Sequence, residues 1–128
     1  MFVNSQSFDI SLARNEHSQI IRMSGEIDFA ALIDLDPVLS KIIDDGEGEL
    51  LMDMAEVTFI DSEGIRLLLN TFNKASQKNR KAQIIKCSPQ VMRVLKLAGI
   101  SEILCIHIEK APPYMSREER VQPFNWPR

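Results

Sequence analysis

Two cysteines, two histidines and five glycines are all that this 128-residue chain holds of the residue types that most often mark metal, redox or phosphate-loop sites. Cys87 and Cys105 stand alone, without metal-type spacing. Both fall in apolar stretches, so buried reduced thiols are expected. The glycines build no phosphate-binding loop and no dinucleotide fingerprint. Basic charge is not in excess. Fifteen Lys and Arg face eighteen Asp and Glu, for a net charge of −3 and a pI near 5.4. That balance gives no sign of the basic face that nucleic acid requires. No run of about 18 apolar residues is present to span a membrane. The segment from Met1 to Arg22 lacks a charged stretch leading into an apolar one, as a secretory signal would need. The expectation is a cytoplasmic protein with no membrane span, no direct nucleic-acid contact, no metal and no cofactor. Catalysis is not expected either. Ser62 has no Gly-x-Ser-x-Gly setting. The only candidate bases are His17, placed in a turn, and His107, read as a structural strand histidine.

What remains is enough for one domain with one core, at 45% hydrophobic and 26% charged residues. Phe8, Ile10 and Leu12 alternate with polar or small residues and predict a strand. A turn at Asn15-Glu16-His17 leads to a second strand over 19–23, its hairpin partner. Leu32, Leu35, Leu39 and Ile42 have helical spacing. Pro37 fits the first position of a helix capped by Asp36, which would leave residues 28–35 as a separate turn. The acidic stretch 44–49 is a polar loop without the residue order of a calcium site. An apolar strand follows over 50–54, central in its composition. Further on come a helix over 62–78, a turn at 79–81, a strand over 82–86 and a helix opening on Ser88-Pro89 and ending at Gly99. A last strand is expected over 103–108. The order β-β-α-β-α-β-α-β gives an α/β fold. Helical crossovers between the later strands make them parallel, in a mixed sheet with helices mainly on one face. The domain takes residues 1–110. Residues 111–128 hold four prolines and a charged cluster, and form a tail that is flexible or laid on the surface, with Phe124 and Trp126 its large anchors.

The most informative stretch is Val57-Thr58-Phe59-Ile60-Asp61-Ser62-Glu63-Gly64. An apolar run stops at Asp61-Ser62, and residues with helical spacing follow at Ile65, Leu68, Leu69, Phe72 and Ala75. Ser62 therefore sits in the first helical turn, where unbonded N–H groups and the positive end of the helix dipole gather. A serine there can cap the helix or carry a phosphate. Asp28 reads as a helix cap or as a group that contacts a partner, and Asp61 as a cap or as a group that orients Ser62 toward a kinase, roles that are compatible. Gly25 and Gly64 allow a strained turn or a close backbone approach. Arg66, Leu67 and Asn70 lie off the expected core face and are either interface residues or an ordinary exposed face.

Four segments, in register over about residues 8–108, resemble the STAS domain family, which takes its name from sulfate transporters and anti-sigma factor antagonists. They are Met23-Ser24-Gly25-Glu26-Ile27-Asp28, the strand 50–54 with the turn 57–64, Ser88-Pro89 with the helix it opens, and Leu97-Ala98-Gly99-Ile100. The resemblance implies a phosphorylation site at Ser62, the serine directly after Asp61. It also implies partners: an anti-sigma factor that is itself the serine kinase, bound by the unphosphorylated form so that a sigma factor is released, and a serine phosphatase that resets the switch. On that basis Asp28, Asp61, Glu63, Gly64, Arg66 and Leu67 form the expected partner-binding set. Glu63 departs from the family pattern, which has Ser or Thr there. Its carboxylate suits a helix N-terminus and also puts a fixed negative charge beside Ser62. STAS domains also serve as scaffold subunits of signalling assemblies, where self-association such as a homodimer is implied, and as accessory subunits of lipid transporters.

Overall fold

The computed structural model describes residues 8–14 and 16–104. Eight elements follow one another: β1 (Phe8–Arg14), β2 (Ser18–Ile27), α1 (Phe29–Asp45), β3 (Glu49–Ile60), α2 (Ser62–Gln77), β4 (Ala82–Cys87), α3 (Pro89–Leu97) and α4 (Ser101–Leu104). The strands lie in the order β1-β2-β3-β4. The short connection between β1 and β2 makes them antiparallel, while α1 and α2 carry the chain back so that β2, β3 and β4 run parallel. This is the mixed sheet that the pattern of elements predicts.

Alternation along the strands decides which face the helices cover. Ile10 and Leu12, Ile21 and Met23, Leu50, Met52 and Met54, and Ile84 share one core with Leu35, Leu39 and Ile42 of α1, Leu67 and Leu68 of α2, and Val91 and Leu95 of α3. The alternate positions Ala13, Ile20, Leu51 and Ile85, one from each strand, form a small second cluster on the opposite face. Asp53 is buried beside them on β3, where its carboxylate accepts from Arg22 Nη2 at 3.2 Å and from the Ala55 amide at 3.0 Å. The apolar runs 50–54 and 57–60 prove to be one twelve-residue strand. In β2 the register against β3 slips near Gly25, which has φ of +92°, a left-handed conformation that glycine adopts without a Cβ penalty. The extra residue at this slip is Thr58 on β3, and such a bulge re-aims the residues that follow it, here Phe59 to Asp61.

Two expectations need correction. Pro37 does not start a helix: α1 is continuous from Phe29, with Pro37 inside it. Asp28 supplies the cap, accepting from the Ala31 amide at 3.0 Å. The carbonyl that Pro37 deprives of a partner is that of Ile33, and both residues are exposed, so water can take the place of the missing bond. Asp36, the expected cap, instead lies 3.4 Å from Lys74 Nζ on α2. The last expected strand does not begin at residue 103. Residues 103 and 104 belong to α4, and residues 105–108, with Cys105 and His107, lie outside the described residues, as does the tail 111–128.

At the end of the sheet where α1 finishes, Arg80 is buried and holds three segments together. It donates to the carbonyls of Ile42 and Ile43 in the last turn of α1, to those of Glu47 and Gly48 in the following loop, and to Gln19 Oε1 on β2. Burial pushes its guanidinium below the usual arginine range, an effect opposed by the neighbouring Glu47 carboxylate. The sequence pattern marks 79–81 only as a turn.

Candidate functional site

The other end of the sheet is built by two parallel strands that stop together. Ile27 and Ile60 are paired across β2 and β3, and the Asp61 amide reaches the Ile27 carbonyl at 3.4 Å. Each strand is followed by an aspartate in extended conformation, Asp28 and Asp61, and each aspartate opens a helix. The N-termini of α1 and α2 therefore converge, and with them the positive ends of two helix dipoles.

Asp61 serves both helices. One carboxylate oxygen accepts from the Gly64 amide at 2.9 Å, which is the N-cap bond of α2, and the other accepts from the Phe29 amide of α1 at 3.2 Å. Ser62 is therefore not the cap. It is the first residue of α2 and is exposed, with the capping task already filled by its neighbour. Asp61→Ala is expected to lose about 1–2 kcal/mol of stability, since two helix starts lose an acceptor, and Asp61→Asn to lose less. Urea titration of the three proteins checks this. Equal midpoints for Asp61→Ala and wild type would mean that the Asp61 bonds to the two helix starts do not contribute.

The remaining expected residues divide. Asp28 and Glu63 are half-buried and Arg66 and Asn70 exposed. Glu63 and Arg66 face each other at 3.5 Å, one turn apart, so the extra negative charge beside Ser62 is partly balanced. Leu67 is fully buried, and Gly64 is buried as well, so neither presents a side chain to a partner. Conversely Leu69, expected in the core, is exposed. The buried stripe of α2 is Gly64, Leu67, Leu68, Thr71 and Ala75. It is rotated relative to the stripe read from apolar residues alone because it is anchored on Gly64. A Cβ there would lie 2.5 Å from the Ile27 carbonyl oxygen and 2.6 Å from Ile60 Cγ1. Only glycine lets α2 start this close to the strand ends. Gly64→Ala gains about 1 kcal/mol of helix propensity but forces a backbone contact apart. A net destabilisation of about 1–2 kcal/mol is expected, and an unchanged or raised thermal midpoint would show that the close approach is not needed.

Two features escape the sequence reading. One is the reach of Asp61 across to α1, which no spacing along the chain reveals. The other is a set of large apolar side chains left exposed nearby, Phe29, Ile33, Phe59 and Leu69. Phe29 and Ile33 lie off the Ala31–Leu35–Val38–Leu39–Ile42 stripe, a signal that helical spacing does carry. His17 precedes β2 at the opposite end of the sheet and cannot serve Ser62 as a base. Among the described residues no group of three or more His, Cys, Asp and Glu side chains could hold a metal ion, and no helix is long and apolar enough to cross a membrane.

Comparison with known proteins gives a consistent result. The family model described as the STAS domain matches residues 9–118. An anti-sigma-B factor antagonist of Staphylococcus aureus is 22% identical over 87 residues, covering 68% of this chain and 81% of that protein. In structure, the chain is similar to an anti-sigma factor antagonist from Mycobacterium paratuberculosis, with a TM-score of 0.69 at 21% identity over 79% of this chain and 86% of that one. It is also similar to the Bacillus cell fate determinant SpoIIAA in its phosphorylated form, with a TM-score of 0.60 at 21% identity over 80% of this chain and 95% of that one. At these identities the structural likeness is one of fold.

Proposed function

Because the chain belongs to the STAS domain family, we propose that it is an anti-sigma factor antagonist, a protein-binding switch set by phosphorylation of Ser62. The observation that carries this reading is the position of Ser62. It is exposed on the first turn of α2, next to a cap it does not itself provide. A hydroxyl with no structural task, at a helix start where two dipoles converge, can be modified without unfolding its surroundings. That one relative of the same fold is known in a phosphorylated form is consistent with the reading.

In this scheme the unphosphorylated chain binds an anti-sigma factor through the surface around Ser62 and so frees a sigma factor. The same anti-sigma factor acts as kinase. The serine Oγ attacks the γ-phosphorus of ATP, its proton passes to a base of the kinase, and the bond from that phosphorus to the bridging oxygen breaks to release ADP. The added phosphate brings a charge of roughly −1.5 to −2, and a phosphatase removes it. Asp28, Asp61, Glu63 and Arg66 frame the contact. Gly64 and Leu67 act from beneath, by setting how close α2 sits to the sheet. The direct test incubates the full chain with the serine-kinase anti-sigma factor encoded in the same genome, ATP and magnesium, then maps phosphate by mass spectrometry. Phosphate on the peptide that contains Ser62, and none on Ser62→Ala, is the expected result. Phosphate placed elsewhere, or none, would overturn the assignment.

A further inference from the structure

Among the described residues five large apolar side chains are exposed: Phe29, Ile33, Phe59, Leu69 and Leu97. Four of them lie on segments that meet at Ser62. Phe29 and Ile33 occupy successive turns at the start of α1, where they are 59% and 65% exposed. Phe59 stands three residues before Ser62 on β3, and Leu69 two turns after it on the same face of α2. Phe59, next in the strand to the core residue Ile60, faces away from the helices, which leaves Phe29, Ile33 and Leu69 on the helix side. Scattered apolar residues on a surface need no explanation, but a group flanking one site marks a contact surface. The charges at this end of the molecule are mainly of one sign. Glu26 (opposite Phe59 in the sheet), Asp28, Asp61 and Glu63 are carboxylates, and Arg66, the cation among them, is already paired with Glu63.

We infer, on the basis of the function proposed above, that the partner face covering Ser62 is apolar at its centre and basic at its rim, and that it rejects the phosphorylated chain through desolvation rather than repulsion. An acidic partner would be repelled by the four carboxylates before any phosphate was added. A basic rim matches them, but it would also attract a phosphate. Rejection must therefore come from the centre. There Phe29, Ile33 and Leu69 would be pressed against apolar groups, and a dianion on Ser62 would lose its water without gaining partners of equal strength.

The two mechanisms differ in their response to salt, which screens charge repulsion but leaves a desolvation cost in place. The experiment measures by calorimetry the affinity of the full chain for the serine-kinase anti-sigma factor of the same genome, for wild type and Ser62→Asp, at about 50 and about 500 mM salt. Both affinities are expected to fall as salt rises, while their ratio holds within about twofold or widens. The doubly substituted Phe29→Ser, Leu69→Ser chain is expected to bind at least about 30-fold more weakly than wild type. It should stay folded with only a slightly lowered thermal midpoint, because the two side chains are 59% and 39% exposed and serine is a weaker helix former than leucine. A ratio that collapses toward one at high salt would overturn the desolvation account, as would wild-type binding of the doubly substituted chain. Either of those results leaves the proposed function standing. Failure of wild type to bind at either salt concentration would overturn that function and this inference together.

Discussion

Ser62→Asp is expected to bind the anti-sigma factor about 100-fold more weakly than wild type, while Ser62→Ala binds as tightly as wild type and no longer responds to the kinase. Ser62 makes no cap bond that alanine would break, because Asp61 supplies that bond to the Gly64 amide. Removing the hydroxyl should therefore leave α2 intact. Aspartate at the same position keeps the helix start, where a carboxylate is favoured, and adds one charge to the surface that meets the partner. Burying that charge without a counter-group costs about 2–5 kcal/mol, and 100-fold corresponds to about 2.7 kcal/mol. Glu63 sharpens the test. It stands next to Ser62 in wild type, yet its carboxylate is turned to Arg66 at 3.5 Å. A charge at Ser62 would be a second one on this turn, with Arg66, four residues on, already engaged by Glu63. If Ser62→Asp bound like wild type, the serine would not be the point that the partner reads.

A second large effect is expected far from that surface. Arg80→Met should cost about 3–5 kcal/mol of stability, much of the 5–15 kcal/mol typical of a domain. The guanidinium sits at the C-terminal end of α1, where the helix dipole favours a cation. It donates to four carbonyls and to Gln19 Oε1, at distances from 2.6 to 3.2 Å. Without it the Ile43 carbonyl and Gln19 Oε1 lose a buried donor, whereas the Ile42 carbonyl keeps the Gly46 amide at 3.1 Å and the exposed loop residues Glu47 and Gly48 can turn to water. Arg80→Lys should recover only a fraction, since one ammonium has three donors for five acceptors. Urea unfolding of wild type and both variants gives the values. Because Arg80 lies at the end of the sheet opposite Ser62, the folded Arg80→Lys protein should retain wild-type partner affinity. A loss of binding in step with stability would tie the two ends of the sheet together, contrary to this account.

The order of the elements is legible in the sequence wherever a local rule operates without competition. Ser88-Pro89 opens α3 as its cap chemistry requires, with Ser88 Oγ accepting from the Val91 amide at 3.2 Å. Strand alternation places β1 and β2, and helical crossovers make the later strands parallel. The failures occur where tertiary contacts override a local preference. Pro37 signals a helix start, but the cap at Asp28 and the burial of Ala31 and Leu35 carry α1 through it. Leu69 is as apolar as Leu67, and only the docking of Gly64 on the Ile27 carbonyl decides which of the two is buried. At the site, Ser62, Asp61 and Asp28 are visible as residues that follow strands. Their meeting is not, because it depends on the pairing of Ile27 with Ile60 and on an Asp61 bond that spans 32 residues. Arg80 is hidden for the same reason, since a cation in a turn looks solvated until its acceptors are assembled around it.

The central claim is that the covalent state of Ser62 sets partner binding. One preparation of the full chain, titrated with the anti-sigma factor before phosphorylation, after stoichiometric phosphorylation at Ser62, and again after treatment with a serine phosphatase, tests it most directly. The account predicts tight binding, then a loss of about 100-fold or more, then full recovery, with the fold unchanged throughout. Equal affinity in the three states would contradict it.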